Sequence, residues 1–170
     1  NYTDVNGKNY QLGLEDDFVY VYNGDGTAAR KAAGAAPTGG ALGAALGAAG
    51  LTDIGDHLFA VVYETDTGYL TALGPSVFAL LELSGTNKIN LSNIPVSADS
   101  FVVKRHIVAT KWIPEYNGDQ DGYQFFFVPD GNIDNNTDTT KTIEFFDIDL
   151  LSDASHLIDN FPEIPSCVNL

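Results

Sequence analysis

Three histidines, one cysteine and several Asp-rich loops are the side chains in this sequence with the means to carry chemistry. His57, His106 and His156 stand far apart, and none has a second His or Cys at a metal-ligand spacing. His106 lies in the run FVVKRHIVAT, Phe101 to Thr110, beside Lys104 and Arg105. Strand alternation sets His106 and Lys104 on one face and Val103 and Arg105 on the other. A solvent-side or strand-pairing role follows for His106, and a helix-face or helix-end role for His156. Cys167 sits in a Pro-containing exit with no His nearby, so nothing there generates a thiolate nucleophile. The serine-hydrolase elbow, the zincin helix, the phosphate loop and the dinucleotide loop are all absent from the sequence. The expectation is a protein with no catalytic residues and no cofactor.

The acidic loops are the one pattern with the flavour of a site. Asn117-Gly118-Asp119-Gln120-Asp121-Gly122 has the D-x-D-G character of calcium loops, and Asp130, Asp134 and Asp138 follow it. Asp119 and Asp121 are therefore the calcium candidates. Calcium takes about six to eight oxygens, and an EF-hand loop closes with a late bidentate Glu. Val128 stands at that position relative to Gly122, so the full motif is missing. Turn chemistry accounts for the same residues, because Asn, Asp and Gly stabilise turns. Asn90-Leu91-Ser92 has the form of a glycosylation triplet, a form that also arises by chance.

The elements that would position these residues read as β-structure. Phe18 to Tyr22 alternates between turn residues and predicts a strand. Ala28 to Gly50 is Ala/Gly-rich and interrupted by Pro37 and Gly39-Gly40, which predicts a pliable linker with short helical turns near Ala41 to Ala49. Strands are then expected at His57 to Thr65, Tyr69 to Leu73, Val77 to Leu83, Lys88 to Leu91, Phe101 to Thr110, Tyr123 to Val128 and Thr140 to Phe146. Turn residues separate them, with Pro129-Asp130-Gly131 ending one. No amphipathic helix falls between them. The fold expected is all-β, an antiparallel sandwich of immunoglobulin or fibronectin III type. Its parts would be an N-terminal arm with one strand and the Ala/Gly linker (1–50), the sandwich (51–147), and a short helix capped by Ser152 with a Pro-containing extended exit (148–170).

Composition narrows the partners. Hydrophobic residues make up 44% of 170 residues, enough for a real core. The net charge of −15 argues against direct nucleic-acid binding and against anionic membranes. No window reaches the roughly 18 apolar residues of a membrane helix. A single cysteine forms no internal disulfide. With no Met and Asn1 first, the sequence reads as a piece processed or cut from a longer chain.

Several phrases together resemble a β-module recurrent in tailed-bacteriophage virion proteins. Leu51 to Thr71 (LTDIGDHLFAVVYETDTGYLT) resembles its opening hairpin. Ile89 to Val96 (INLSNIPV) and Val102 to Thr110 (VVKRHIVAT) resemble its central stretch. Phe126 to Phe146 (FFVPDGNIDNNTDTTKTIEFF) resembles its closing hairpin, and Asp147 to Pro165 its exit. The resemblance implies a fibronectin- or immunoglobulin-like structural component of a phage tail, nozzle or head-to-tail assembly. It implies virion localisation, other virion proteins as partners and a homo-oligomer, and it supplies no catalytic residue. A carbohydrate- or receptor-binding adhesion module, using Trp112, Tyr116 and Tyr123, is the alternative.

Overall fold

Runs of aromatic and β-branched residues between Asn-, Asp- and Gly-rich turns dictate short strands, and strands are what they form. The computed structural model describes residues 2–3, 9–15, 18–23, 29–31, 34–38, 42–73, 79–82, 84–114, 116 and 123–151. Among them there is no α-helix, only one 3₁₀ turn at Asp149–Leu151.

Four strands come first: β1 (Tyr2–Thr3), β2 (Asn9–Glu15), β3 (Phe18–Asn23) and β4 (Ala29–Lys31). They form an antiparallel sheet in sequence order. Seven more follow: β5 (Gly43–Thr52), β6 (Asp56–Thr65), β7 (Ala79–Glu82), β8 (Asn87–Ser92), β9 (Val102–Ala109), β10 (Phe126–Ile133) and β11 (Lys141–Ile143). These make two antiparallel sheets, β10-β9-β6-β7 and β11-β8-β5. The chain is thus an all-β protein built on an antiparallel β-sandwich, as the strand pattern predicts. Its three-stranded sheet takes the first, fourth and last of the seven sandwich strands. That division differs from the A-B-E-D and C-F-G sheets of an immunoglobulin constant domain.

The period of two decides the core. Phe59, Val61 and Tyr63 of β6 point to one side, with Ile107 and Ala109 of β9 and Val128 and Ile133 of β10. They meet Ile89 and Leu91 of β8 and Ile143 of β11, while Ile94, Phe145 and Leu150 close the ends. The alternate residues Leu58, Ala60 and Val62 of β6, with Val108 of β9, are buried too. They lie under Ile113, Phe125, Leu70, Leu73, Tyr116, Tyr123 and Phe127, which come from loops and from the start of β10. So β6 is covered on both faces, and Leu58 through Tyr63 expose no more than 2% of their surface. Fully burying each such large apolar side chain stabilises the fold by about 1.5–3 kcal/mol.

Several expectations are corrected. The Ala/Gly stretch is neither linker nor helical turns from Gly43 on, because it is β5, paired with β8. Small side chains are what this pairing needs: a Cβ on Gly50 would stand 2.5 Å from the Lys88 backbone nitrogen. Ahead of β5, the N-terminal arm holds four strands rather than one. Its Arg30 pairs with Asp66, just after β6, and lies 4.2 Å from the Phe101 ring centroid. Tyr69 to Leu73 is not a strand but makes a single bridge, Glu64 to Leu70, and covers the outer cluster. Pro129-Asp130-Gly131 does not end a strand. It lies inside β10, where the register against β9 shifts between Phe127 and Asn132 and Asp130 takes a φ of 54°. That is a β-bulge, which absorbs a proline that a regular ladder would reject. The predicted helix after Ser152, with His156 and Cys167, lies outside the described residues.

Phe59 is fully buried and meets Phe145 edge-on at a centroid distance of 6.4 Å. Phe59→Ala leaves a cavity between the sheets and is expected to cost about 3–5 kcal/mol, read as a lower urea midpoint.

Candidate functional site

A charged residue at the heart of the sandwich is the most unusual group in the structure. Arg105 has no exposed surface. Alternation along β9 sets it on the inner face with Ile107, so its guanidinium enters the core from one end. Burial there demands partners for its donors. Nη1 donates to the Pro95 carbonyl at 2.9 Å, and Nε to the Asn135 carbonyl at 3.1 Å. Nη2 donates to the Asp138 carbonyl at 2.5 Å and to the Asn135 side-chain oxygen at 3.3 Å. Burial holds Arg105 below its ordinary pKa, opposed by the charges of Tyr63 and Asp138. Tyr63 beside it is held above its ordinary value by burial, with Arg105 pulling down and Asp99 pushing up. The Tyr63 hydroxyl finds no hydrogen-bond partner among the described residues.

The two loops that receive Arg105 are built by asparagines. Asn135 Oδ1 accepts from the backbone nitrogens of Thr137 and Asp138, each at 2.9 Å, and closes a turn. Asn136 pairs with the Ser97 backbone in both directions at 2.9 Å. Ile94 N donates to the Thr139 carbonyl at 3.0 Å. The stretches 94–97 and 133–139 are thus tied to each other and to β9 through one guanidinium.

A second polar group lies on the outer face. His106 Nε2 lies 2.6 Å from Glu64 Oε2, and Nδ1 lies 2.7 Å from Asn132 Oδ1. The ring packs edge-on to Phe127. Lys104 Nζ stands 3.8 Å from Asp134. The face shared by His106 and Lys104 is the one alternation predicts. The His106 hydrogen bond is the first cause holding Glu64 below its ordinary pKa, burial opposes it, and the charges of His106 and Lys104 add to it.

The third group sits at the opposite end. His57 is fully buried, with Nδ1 3.1 Å from the Thr110 carbonyl and Nε2 3.2 Å from the Asp53 carbonyl. Asp147 Oδ1 lies 3.8 Å from Nδ1 and finds no hydrogen-bond partner among the described residues. Asp147 Oδ2 accepts from the Trp112 backbone nitrogen at 2.7 Å, and Asp147 N donates to Asp53 Oδ2 at 2.6 Å. Above this network the Trp112 side chain is 54% exposed. Its indole lies on Gly55, whose φ of 136° and proximity to the ring both exclude a side chain: a Cβ would stand 1.6 Å from Trp112 Cδ1.

The sequence candidates fall apart differently. Asp119 and Asp121 lie outside the described residues. Asp134 faces Lys104, and Asp138 Oδ2 accepts from Asn135, so the acidic residues serve separate contacts. Among the described residues no three His, Cys, Asp or Glu side chains group to hold a metal ion. The ring nitrogens of His57 and His106 engage carbonyl, carboxylate and amide oxygens, an arrangement that orients loops and strands. Arg105 was missed as a structural centre, although alternation had set it on the face of the apolar Val103. No family model matches the chain, and neither the curated proteins nor the solved structures yield a match.

Arg105→Met takes the guanidinium donors from the Pro95, Asn135 and Asp138 carbonyls, and these backbone acceptors cannot be replaced along with it. The expected loss is about 3 kcal/mol or more, with faster amide exchange at Ile94, Thr137 and Asp138. Arg105→Lys restores only part, since an ammonium lacks the planar fork. Glu64 carries a pH signature. Its folded pKa is depressed, so its contribution is complete above the ordinary value of 4.5 and vanishes as pH falls through the lower folded value. Glu64→Gln is therefore expected to flatten the loss of stability below about pH 4.5, measured by urea titration across the acid range.

Proposed function

We propose that this chain is a structural component of a bacteriophage virion, a sandwich module of a tail or nozzle assembly, and a piece of a longer protein. One observation supports the reading most. The phrases that carry the virion resemblance, INLSNIPV, VVKRHIVAT and GNIDNNTDTT, are separate in sequence yet meet at Arg105. A shared loop lock is a reason for those phrases to recur together, which chance similarity of turn-rich strands lacks. The described polar clusters are spent on tying loops and strands together, which suits a structural part. The net charge of −15 suits a lumen wall along which DNA slides without sticking. In this reading the module is of the broader immunoglobulin- or fibronectin-like kind, with other virion proteins and copies of itself as partners, and with no catalytic role. Peptide mapping of purified particles from a host carrying this sequence, followed by a particle map, tests it. Density for the sandwich in the tail is the expected result. Absence of the chain from purified particles overturns it.

A second reading is favoured by Trp112, a half-exposed indole that lies against Gly55. Such a surface stacks on sugar rings, so a carbohydrate- or receptor-binding module is the alternative. Tyr116 and Tyr123 instead pack against the outer cluster, which leaves Trp112 as the platform. Glycan-array binding abolished by Trp112→Ala, with the melting temperature unchanged, would favour this reading. An array without signal would remove it.

A further inference from the structure

His57 is the second residue of β6 and has no exposed surface. Its ring packs against those of Phe59 and Phe145, at centroid distances of 6.4 and 5.6 Å. Nδ1 lies 3.1 Å from the Thr110 carbonyl oxygen, and Nε2 lies 3.2 Å from the Asp53 carbonyl oxygen. A backbone carbonyl only accepts hydrogen bonds, and a neutral imidazole has a single N–H. In either neutral tautomer one ring nitrogen would turn a lone pair toward a carbonyl oxygen. Both contacts are hydrogen bonds only when both nitrogens carry protons, and the ring is then an imidazolium.

A buried cation needs a counter-charge, and the site holds one. Asp147 Oδ1 is buried 3.8 Å from His57 Nδ1 and finds no hydrogen-bond partner among the described residues. A carboxylate oxygen in that position is costly unless a positive charge faces it. The other charged groups on the surrounding elements are engaged elsewhere. Asp53 Oδ2 accepts from the Asp147 backbone nitrogen at 2.6 Å, and Asp149 Oδ2 accepts from that of Phe146 at 3.2 Å. Glu144 pairs with Lys88 at 3.1 Å, and Lys111 Nζ lies 5.8 Å from the Phe126 ring centroid. Asp56 and Glu82 face each other across β6 and β7, one residue along from His57. Among the described residues only Asp147 brings a carboxylate within ion-pair distance of the ring.

We infer that His57 is an imidazolium paired with Asp147, and that this buried ion pair is a latch that closes the sandwich beneath Trp112 and opens as pH rises. The latch joins three segments that are separate in sequence. It holds the turn before β6 through the Asp53 carbonyl, the end of β9 through the Thr110 carbonyl, and the stretch after β11 through Asp147. Trp112 sits where all three meet. Its backbone nitrogen donates to Asp147 Oδ2 at 2.7 Å, and its indole lies against Gly55 in the turn that His57 holds. Loss of one proton turns a lone pair on one of the carbonyls and leaves the Asp147 carboxylate without its counter-charge. The contribution of the latch is therefore present while the ring holds both protons, and is lost as rising pH removes one. The latch governs the Trp112 surface whichever partner that surface meets, and it stands apart from the virion reading.

Nitrogen-edited NMR spectra of the histidine rings in the 170-residue chain count the protons. His57 is expected to show two ring N–H groups at about pH 7.5, where an ordinary histidine of value about 6.5 holds one. The sequence contains a single tryptophan, so its fluorescence reports Trp112 directly. Emission is expected to move to longer wavelength as rising pH takes the proton from His57, with the β-sheet circular dichroism retained. Asp147→Asn keeps an acceptor for the Trp112 nitrogen and removes the charge. In that variant the proton loss and the emission change are expected to move together to lower pH, by about one unit or more. A His57 ring with one N–H at about pH 7.5 overturns the inference. So does Trp112 emission that stays constant while His57 loses its proton, or a folded Asp147→Asn in which proton loss is unmoved. The wild-type spectra and emission decide the matter even where Asp147→Asn folds poorly.

Discussion

A guanidinium with no access to water sets the terms for one whole end of this sandwich. Burying a charge costs several kcal/mol unless strong hydrogen bonds offset it. Arg105 has no carboxylate within ion-pair distance among the described residues, and it depends on three backbone carbonyls and one amide oxygen. Those acceptors belong to two loops that are far apart in sequence. Both loops must therefore hold one shape whenever Arg105 is in place. Asn135 and Asn136 make that shape available, because their short amides imitate backbone pairing. Pro95 contributes a carbonyl from a residue whose own φ is already restricted. The lock is cooperative: loosening one loop unpairs the charge that holds the other.

The second constraint is β6. A strand apolar on both faces cannot tolerate water on either, so each side needs a cover. One cover is the facing sheet. The other is improvised from the Tyr69 to Leu73 stretch, from Ile113 and Tyr116, and from Tyr123, Phe125 and Phe127. This explains why segments without ladder pairing still carry bulky side chains. It also explains the placing of His106. Its position on β9, opposite Val62, falls at the margin of the covered patch, where a polar ring can meet Glu64 and Asn132 while packing on Phe127.

The third is the pairing of small with large. β5 lies so close to β8 at Gly50 that no side chain fits between them. Composition that reads as a flexible connector is here a requirement for close backbone approach. Likewise Gly55 admits Trp112 over the turn into β6. In both places glycine is chosen by the neighbour it must accommodate.

Local pattern was sufficient for the β class, for most strands of the sandwich, and for the faces of β8 and β9. Alternation of apolar side chains and the turn chemistry of Asn, Asp and Gly act over a few residues, so they are visible in the chain itself. The same local signals misread β5, because alanine and glycine have weak preferences that a paired neighbour overrides. They misread Pro129-Asp130-Gly131, because a bulge is defined only against the partner strand. Of the polar clusters, the face of His106 was legible, and the burial of Arg105 and His57 was not. Burial of a polar side chain depends on which loops close over it. Pro95, Asn135 and Asp138 reach Arg105 only once β8, β9 and β10 are assembled, and that convergence is decided by tertiary structure alone.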